Sequence, residues 1–248
     1  MKYLLQIAYK GTNYCGWQVQ PNGVTVQRIM CEAAEKVLGA ECAVTGCSRT
    51  DSGVHAKKYF CTVEPLSDNY NRIPPDRLPD ALNSALPDDI AAKDAKTVDD
   101  SFHPRYSAKG KEYVYLIRNE RRPDPFAVGL AYHLPHPKLD IQAMNEAAEH
   151  YIGRHDFRGC SAAGSSVEDA VRTVAALSVS EDDGLVAIRI SADGFLYNMV
   201  RIIAGTLVEV GLGKIPPGKI PEIIASRDRS QGGPTLPACG LYLNEVYY

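Results

Sequence analysis

The sequence predicts an α+β fold of two similar lobes, and three observations carry that expectation. Each half of the chain runs strand, helix, strands, helix, strand; the strand segments alternate side chains at a period of two; and the helices carry apolar stripes at spacings of three and four. A duplicated unit of this kind implies a mostly antiparallel central sheet flanked by helices, with a cleft between the lobes as the natural place for a site. The boundary falls in the polar connection Asp99-Asp100-Ser101-Phe102-His103-Pro104, which sets lobes over 1–103 and 104–248.

Residues 2–10 place Tyr3, Leu5, Ile7 and Tyr9 on one face of an opening strand. The loop that follows holds the only tryptophan, Trp17, read as an aromatic plug rather than a ligand contact. Thr25 caps a helix that carries Val26, Ile29, Ala33, Val37 and their neighbours on one face and stops at Gly39. Strands are expected over 41–46 and 54–63. A second helical stretch starts at Pro74-Pro75 and ends at Pro87, and a strand follows near 90–98.

In the second half, Lys111–Ile117 puts Tyr113, Tyr115 and Ile117 on one strand face, with both faces partly apolar, as in a central strand. Asp140 caps a helix with Ile141, Met144, Ala148, Tyr151 and Ile152 inward, Leu139 stapled on Met144 and Gly153 as its stop. The stretch 154–171 is a long polar connection. Residues 171–180 and 185–192 form a hairpin about Asp182-Asp183-Gly184. From Tyr197 to Gly211 a helix is apolar nearly all round and therefore buried, except for one stripe of Asn198, Arg201 and Gly205. A bare glycine behind a near-buried arginine suggests that Arg201 points at something negative. A last helix near 218–226 and a terminal strand, Leu241–Tyr247, complete the chain.

With 248 residues, 45% of them hydrophobic, the chain can bury a full core. No apolar run approaches the ~18–20 residues of a membrane span, and the amino terminus turns polar too quickly for a signal peptide, so a cytoplasmic location is expected. Seven scattered cysteines without a C-x-x-C pair argue against a disulfide framework, and Cys42, Cys47 and His55 make a weak zinc set, so no metal is expected. The net charge of −3 gives no hint of a polyanion partner, yet Lys57, Lys58, Arg105, Lys109 and Lys111 gather in two stretches. They are either solvated faces or phosphate contacts.

The chemistry concentrates in Gly46–Ala56, an arginine, a carboxylate, a glycine and a histidine with little that suits a core. Asp51 has no second carboxylate within reach in the motif, so a paired-carboxylate hydrolase is not indicated. Flanked by Arg49 it stays ionised, fit to act as a nucleophile or to stabilise an electron-poor centre; a plain structural Arg–Asp bridge is the alternative.

Arg49-Thr50-Asp51-Ser52-Gly53-Val54-His55-Ala56 resembles the R-T-D-x-G-V-H motif of the tRNA pseudouridine synthase A family. Tyr14-Cys15-Gly16-Trp17-Gln18, Phe195–Arg201 and Gly240-Leu241-Tyr242-Leu243 resemble three further family stretches, in order and across essentially the whole chain. The resemblance implies the pseudouridine synthase fold. The activity it implies is isomerisation of uridine to pseudouridine at positions 38, 39 and 40 of the tRNA anticodon stem-loop, with no cofactor and no metal, by a homodimer. It assigns Asp51 as the catalytic aspartate, attacking the base or C1′, and Arg49 as the residue that helps the base leave the stack, which the chemistry requires. It assigns Tyr113 to stack on the uracil, against the alternative of a sheet tyrosine, and Arg201 to pair with the aspartate. Leu241 is either a pocket wall or a core leucine, and His55 is structural. Cys47-Ser48 and Cys160 depart from commoner family patterns; neither touches the catalytic assignments, but because of the second no RNA contacts are carried over to 154–171. A non-catalytic tRNA-binding module and a carboxylate-dependent nucleoside transferase are the rivals; the joint presence of Asp51, Tyr113 and Arg201 argues against the first, and the absence of a second carboxylate against the other.

Overall fold

The computed structural model describes residues 1–162 and 169–248. In chain order the elements begin with strand β1 (Lys2–Tyr9), helix α1 (Val26–Leu38), β2 (Cys42–Gly46), β3 (His55–Pro65), α2 (Leu78–Asn83) and β4 (Ile90–Val98). They continue with β5 (Gly110–Arg118), β6 (Tyr132–His133), α3 (Ile141–Glu149), β7 (Gly153–Asp156), β8 (Val171–Asp182), β9 (Leu185–Ala192), α4 (Met199–Gly211), α5 (Ile220–Ser226) and β10 (Leu241–Tyr247). Two compact units result, one of Met1–Lys109 with Tyr242–Tyr248, the other of Gly110–Leu241. Among the described residues no helix is long and apolar enough to cross a membrane.

In the first unit β3 is the longest strand and carries three neighbours. Along one edge it pairs antiparallel with β1, from Tyr3 opposite Val63 to Tyr9 opposite Ala56. The other edge is shared: β2 runs antiparallel to its far end, Gly46 opposite Cys61, and β10 runs parallel at its start, Tyr242 opposite His55. β4 closes the far side of β1. Tyr3, Leu5, Ile7 and Tyr9 are all buried, as their alternation demands.

α1 opens at Thr25, whose hydroxyl accepts from the Arg28 amide, and closes at Gly39 with φ of 71°. Its buried stripe is Val26, Met30, Ala33, Ala34 and Leu38, while Ile29 and Val37 lie half-buried on its flank. The buried stripe thus keeps Val26 and Ala33 from the expected face and is filled out by their neighbours Met30, Ala34 and Leu38. α2 is shorter than its apolar pattern: it begins at Leu78 and stops at Asn83, whose side-chain amide bonds both backbone groups of Ala92.

In the second unit β9 lies between β5 and β8, all antiparallel, β7 pairs the outer side of β8, and β6 adds a short parallel pairing to β5. The β8–β9 turn has Asp183 at φ 45° and Gly184 at φ 70°, the two positive values that suit a tight hairpin. α3 starts as its sequence requires, the Asp140 carboxylate accepting from the Ala143 amide at 3.0 Å. It stops earlier than expected. His150 ends it, Ile152 is exposed, and Gly153, at φ 110°, opens β7 instead of terminating the helix. The stretch read as one polar connection over 154–171 contains β7 and a 3-10 turn at Arg158–Cys160; its portion 163–168 lies outside the described residues.

α4 is the buried helix, with eleven of its residues inaccessible and Arg201 and Glu209 the half-buried exceptions. Leu139 and Met144 both reach Gly211 at its end, where a Cβ would lie 2.8 Å from the methionine sulfur.

Candidate active site

The loop between β2 and β3 is held on every side by backbone. Tyr14 O accepts from the Gly53 amide at 3.3 Å and from Ser52 Oγ at 3.2 Å, and the Trp17 amide donates to Thr50 O at 3.1 Å. The Thr50 and Tyr9 hydroxyls are hydrogen-bonded at 2.7 Å inside the core. The Val54 amide donates to Asp51 O at 3.1 Å, closing a turn whose third residue, Gly53, has φ of 80°. That turn type needs a glycine there. Two more glycines admit neighbouring backbone: a Cβ at Gly11 would lie 1.9 Å from Val54 O, and one at Gly16 would lie 2.5 Å from Thr50 O. The Tyr14–Gln18 motif is therefore the clamp of the Arg49–Ala56 motif.

Beneath the clamp lies an aromatic cluster. Trp17 is 3% exposed and stacks on Tyr59 at 4.2 Å, and Tyr59 lies 5.5 Å from Tyr9. The Tyr59 hydroxyl donates to Ser48 O. Its phenol is held neutral, burial pushing the pKa well up. Trp17 is the expected plug, and His55 is a structural residue. It is 1% exposed, accepts from the Gly11 amide on Nδ1 at 3.0 Å and stacks on Tyr242 at 4.6 Å.

On this platform Asp51 is half-buried and Arg49 exposed. Lys57 is exposed with its ammonium 5.6 Å from the Tyr242 ring centre. Lys58 is exposed and ion-paired to Glu245. Arg105 and Lys109 are exposed, Arg105 lying 5.7 Å from the Tyr106 ring centre and the Lys109 amide donating to Tyr247 O at 2.8 Å.

In the second unit, β5 presents Tyr113, 7% exposed, edge-on to Phe195 at 5.0 Å, with Lys111 half-buried on the same strand. Tyr115, two residues on, donates its hydroxyl to Pro237 O at 2.7 Å, and burial raises its pKa. Its ring lies where a Cβ of Gly240 would stand, 2.7 Å away, which explains the glycine of the Gly240–Leu243 stretch. Leu241 is buried.

Arg201 donates from Nε to Leu236 O at 2.6 Å and from Nη1 to Asn198 Oδ1 at 2.7 Å. These bonds aim the guanidinium from a helix that begins at Asn198 in the left-handed region, φ 59°. Gly205 has a different purpose from the one its stripe suggested. A Cβ there would lie 1.8 Å from Pro234 O, so the glycine admits the backbone of 233–236 against α4 rather than a ligand. Thr206 bonds the same segment, accepting from the Gly233 amide at 2.9 Å.

Sequence reasoning gave Tyr9, Thr50, Tyr59 and Asp89 no part in supporting the loop. Asp89 accepts from the Tyr14 hydroxyl and, at 3.1 Å, from Asn13 Nδ2. Its placement one residue before β4, beside the loop after β1, was the signal available.

A protein-family model described as tRNA pseudouridine synthase matches residues 6–107 and again 147–248. The chain belongs to the tRNA pseudouridine synthase family, a family of isomerases, and its two matched halves and mixed, mostly antiparallel sheet are the α+β pseudouridine synthase fold. Within the family its relatives are of one kind. The tRNA pseudouridine synthase A of Ruminiclostridium cellulolyticum is 46% identical over 100% of this chain and 99% of its own length. Those of Thermoanaerobacter sp. and Acetivibrio thermocellus are 47% and 48% identical, over 99% and 98% of this chain and 98% of each relative.

Proposed function

We propose that the chain isomerises uridine at positions 38, 39 and 40 of the tRNA anticodon stem-loop, with Asp51 as the catalytic carboxylate. The observation that carries this reading is the clamped loop. Asp51 is the single carboxylate of Gly46–Ala56, half-buried on a segment whose neighbours are tied down by backbone bonds and close glycine contacts. A rigid mount of this kind is what a reacting group needs, because misplacement of about 1 Å costs about 10²-fold in rate. The full-length similarity to tRNA pseudouridine synthase A proteins supports the substrate.

In the proposed reaction the N1–C1′ bond breaks, the uracil turns and C5 bonds to C1′. The C5 proton leaves and N1 gains one, so atoms and electrons balance without a co-reactant, and neither cofactor nor metal is invoked. Asp51, on the N-terminal lobe of 1–103, attacks the base or C1′. Arg49 displaces the base from the stem. On the lobe of 104–248, Tyr113 stacks on the uracil, Arg201 supplies the cation of the site, and Leu241 lines the uracil pocket. Lys57, Lys58, Arg105, Lys109 and Lys111 contact phosphates, so affinity falls as salt rises. The enzyme acts as a homodimer in the cytoplasm.

The test is tritium release from C5-labelled uridine in tRNA. Wild type releases it, and Asp51→Asn loses more than about 10³-fold of the rate. Full release by the variant removes Asp51 from the chemistry; pseudouridine mapped outside positions 38–40 overturns the target.

A further inference from the structure

The second unit carries an open groove of about 610 Å³ where the end of α3, strand β7 and α5 meet, lined among others by His150, Arg154, His155, Asp156, Ile224 and Arg227. None of these belongs to the catalytic assignments. Asp156 has its charge absorbed: Oδ2 pairs with Arg227 Nε at 3.1 Å, and Oδ1 accepts from the Arg158 amide at 3.0 Å. Arg227 is itself fixed in place, ending α5 at φ 56°. His155 Nε2 lies 3.1 Å from Ile152 O.

Arg154 is exposed, and among the described residues neither its guanidinium nor the His150 imidazole has a hydrogen-bond or ion-pair partner. Lone cations on a convex surface are ordinary. Here two guanidinium groups face one carboxylate across a concave surface with Ile224, 8% exposed, among its lining, in a chain whose net charge is −3. The concavity is open rather than enclosed. It suits a polymer lying along it better than a small molecule that must be surrounded.

We propose that this groove is a further contact with the tRNA substrate and takes a phosphodiester of its backbone. Arg154 offers the forked N–H donors that match phosphate oxygens, and the aliphatic wall receives ribose or base. The assignment rests on tRNA being the substrate, and it adds affinity and register rather than chemistry.

Equilibrium binding of full-length tRNA over a salt series tests it, with two variants of opposite sign. Arg154→Gln raises Kd about tenfold, the worth of one charged hydrogen-bonding contact, and lowers the salt slope by about one. The loss appears in KM rather than in kcat. Asp156→Asn keeps an acceptor for the Arg158 amide but removes the negative charge, and lowers Kd by about threefold. Thermal melts confirm that both fold, which the exposed position of Arg154 leads one to expect. An unchanged Kd and slope for Arg154→Gln, or a weakening by Asp156→Asn as large as that of Arg154→Gln, overturns the groove assignment. Wild type failing to bind tRNA overturns the substrate reading instead; wild-type binding with indifferent variants overturns only the groove.

Discussion

The two units carry their candidate catalytic side chains on different kinds of support. Asp51 and Arg49 stand on a loop, and its shape depends on contacts between backbone segments distant in sequence: Gly11 on Val54, Gly16 on Thr50, Tyr14 on Ser52 and Gly53. Tyr113 stands on a regular strand, paired in register with Ile190, and Arg201 on a regular helix. A strand or helix positions a side chain through its own hydrogen-bond ladder. A loop has no such ladder, so neighbouring elements must supply the bonds, and small residues must let them near.

The comparison breaks first at the glycines. Gly11→Ala forces a Cβ to within 1.9 Å of the Val54 carbonyl and is expected to cost roughly 3 kcal/mol or more, lowering the urea midpoint and activity together. Gly218→Ala, with nothing within 4 Å, shifts stability by no more than about 0.5 kcal/mol. If Gly11→Ala melts like wild type, the loop is not held by close approach.

The tyrosines sharpen the difference within a single strand. Tyr115→Phe leaves the Pro237 carbonyl without its donor in a part-buried bond and is expected to lower stability by about 1 kcal/mol, with turnover little changed. Tyr113→Leu removes the ring assigned to stack on the uracil and is expected to lower kcat by about tenfold or more. The reverse pattern would exchange the roles assigned to the two residues.

A smaller effect reports on the cores of both units. Burial pushes the Cys42 thiol up to about 11 and the Cys160 thiol to about 12, against an ordinary 9.0. Above pH 9 the unfolded chain loses these protons while the folded chain keeps them. Stability is therefore full below pH 9 and declines as pH rises through 11 and 12, and urea midpoints at pH 8 and pH 10 should show the start of that decline. Equal midpoints would mean that the thiols ionise as easily folded as unfolded.

Most of the element types were legible because their signals are local. Thr25 and Asp140 cap the helices they were expected to cap, the hairpin turns at Asp183-Gly184, and α4 is buried because its residues are apolar on nearly every side. The misreadings share another origin. Gly153 looked like a helix stop and begins a strand, and Gly205 looked like room for a ligand and is room for Pro234. A glycine announces an unusual backbone or a close neighbour, but its own sequence context does not say which neighbour.

By itself the sequence determined the secondary-structure alphabet, the buried helix and the motif around Asp51, since periodicity, capping and residue chemistry act over a few positions. Only the tertiary structure decided what the glycines are for, that Tyr115 spends its hydroxyl on the scaffold, and that β10 returns to lie parallel to the start of β3. Those outcomes depend on which backbone groups are brought together from far apart along the chain, and no local pattern encodes that proximity.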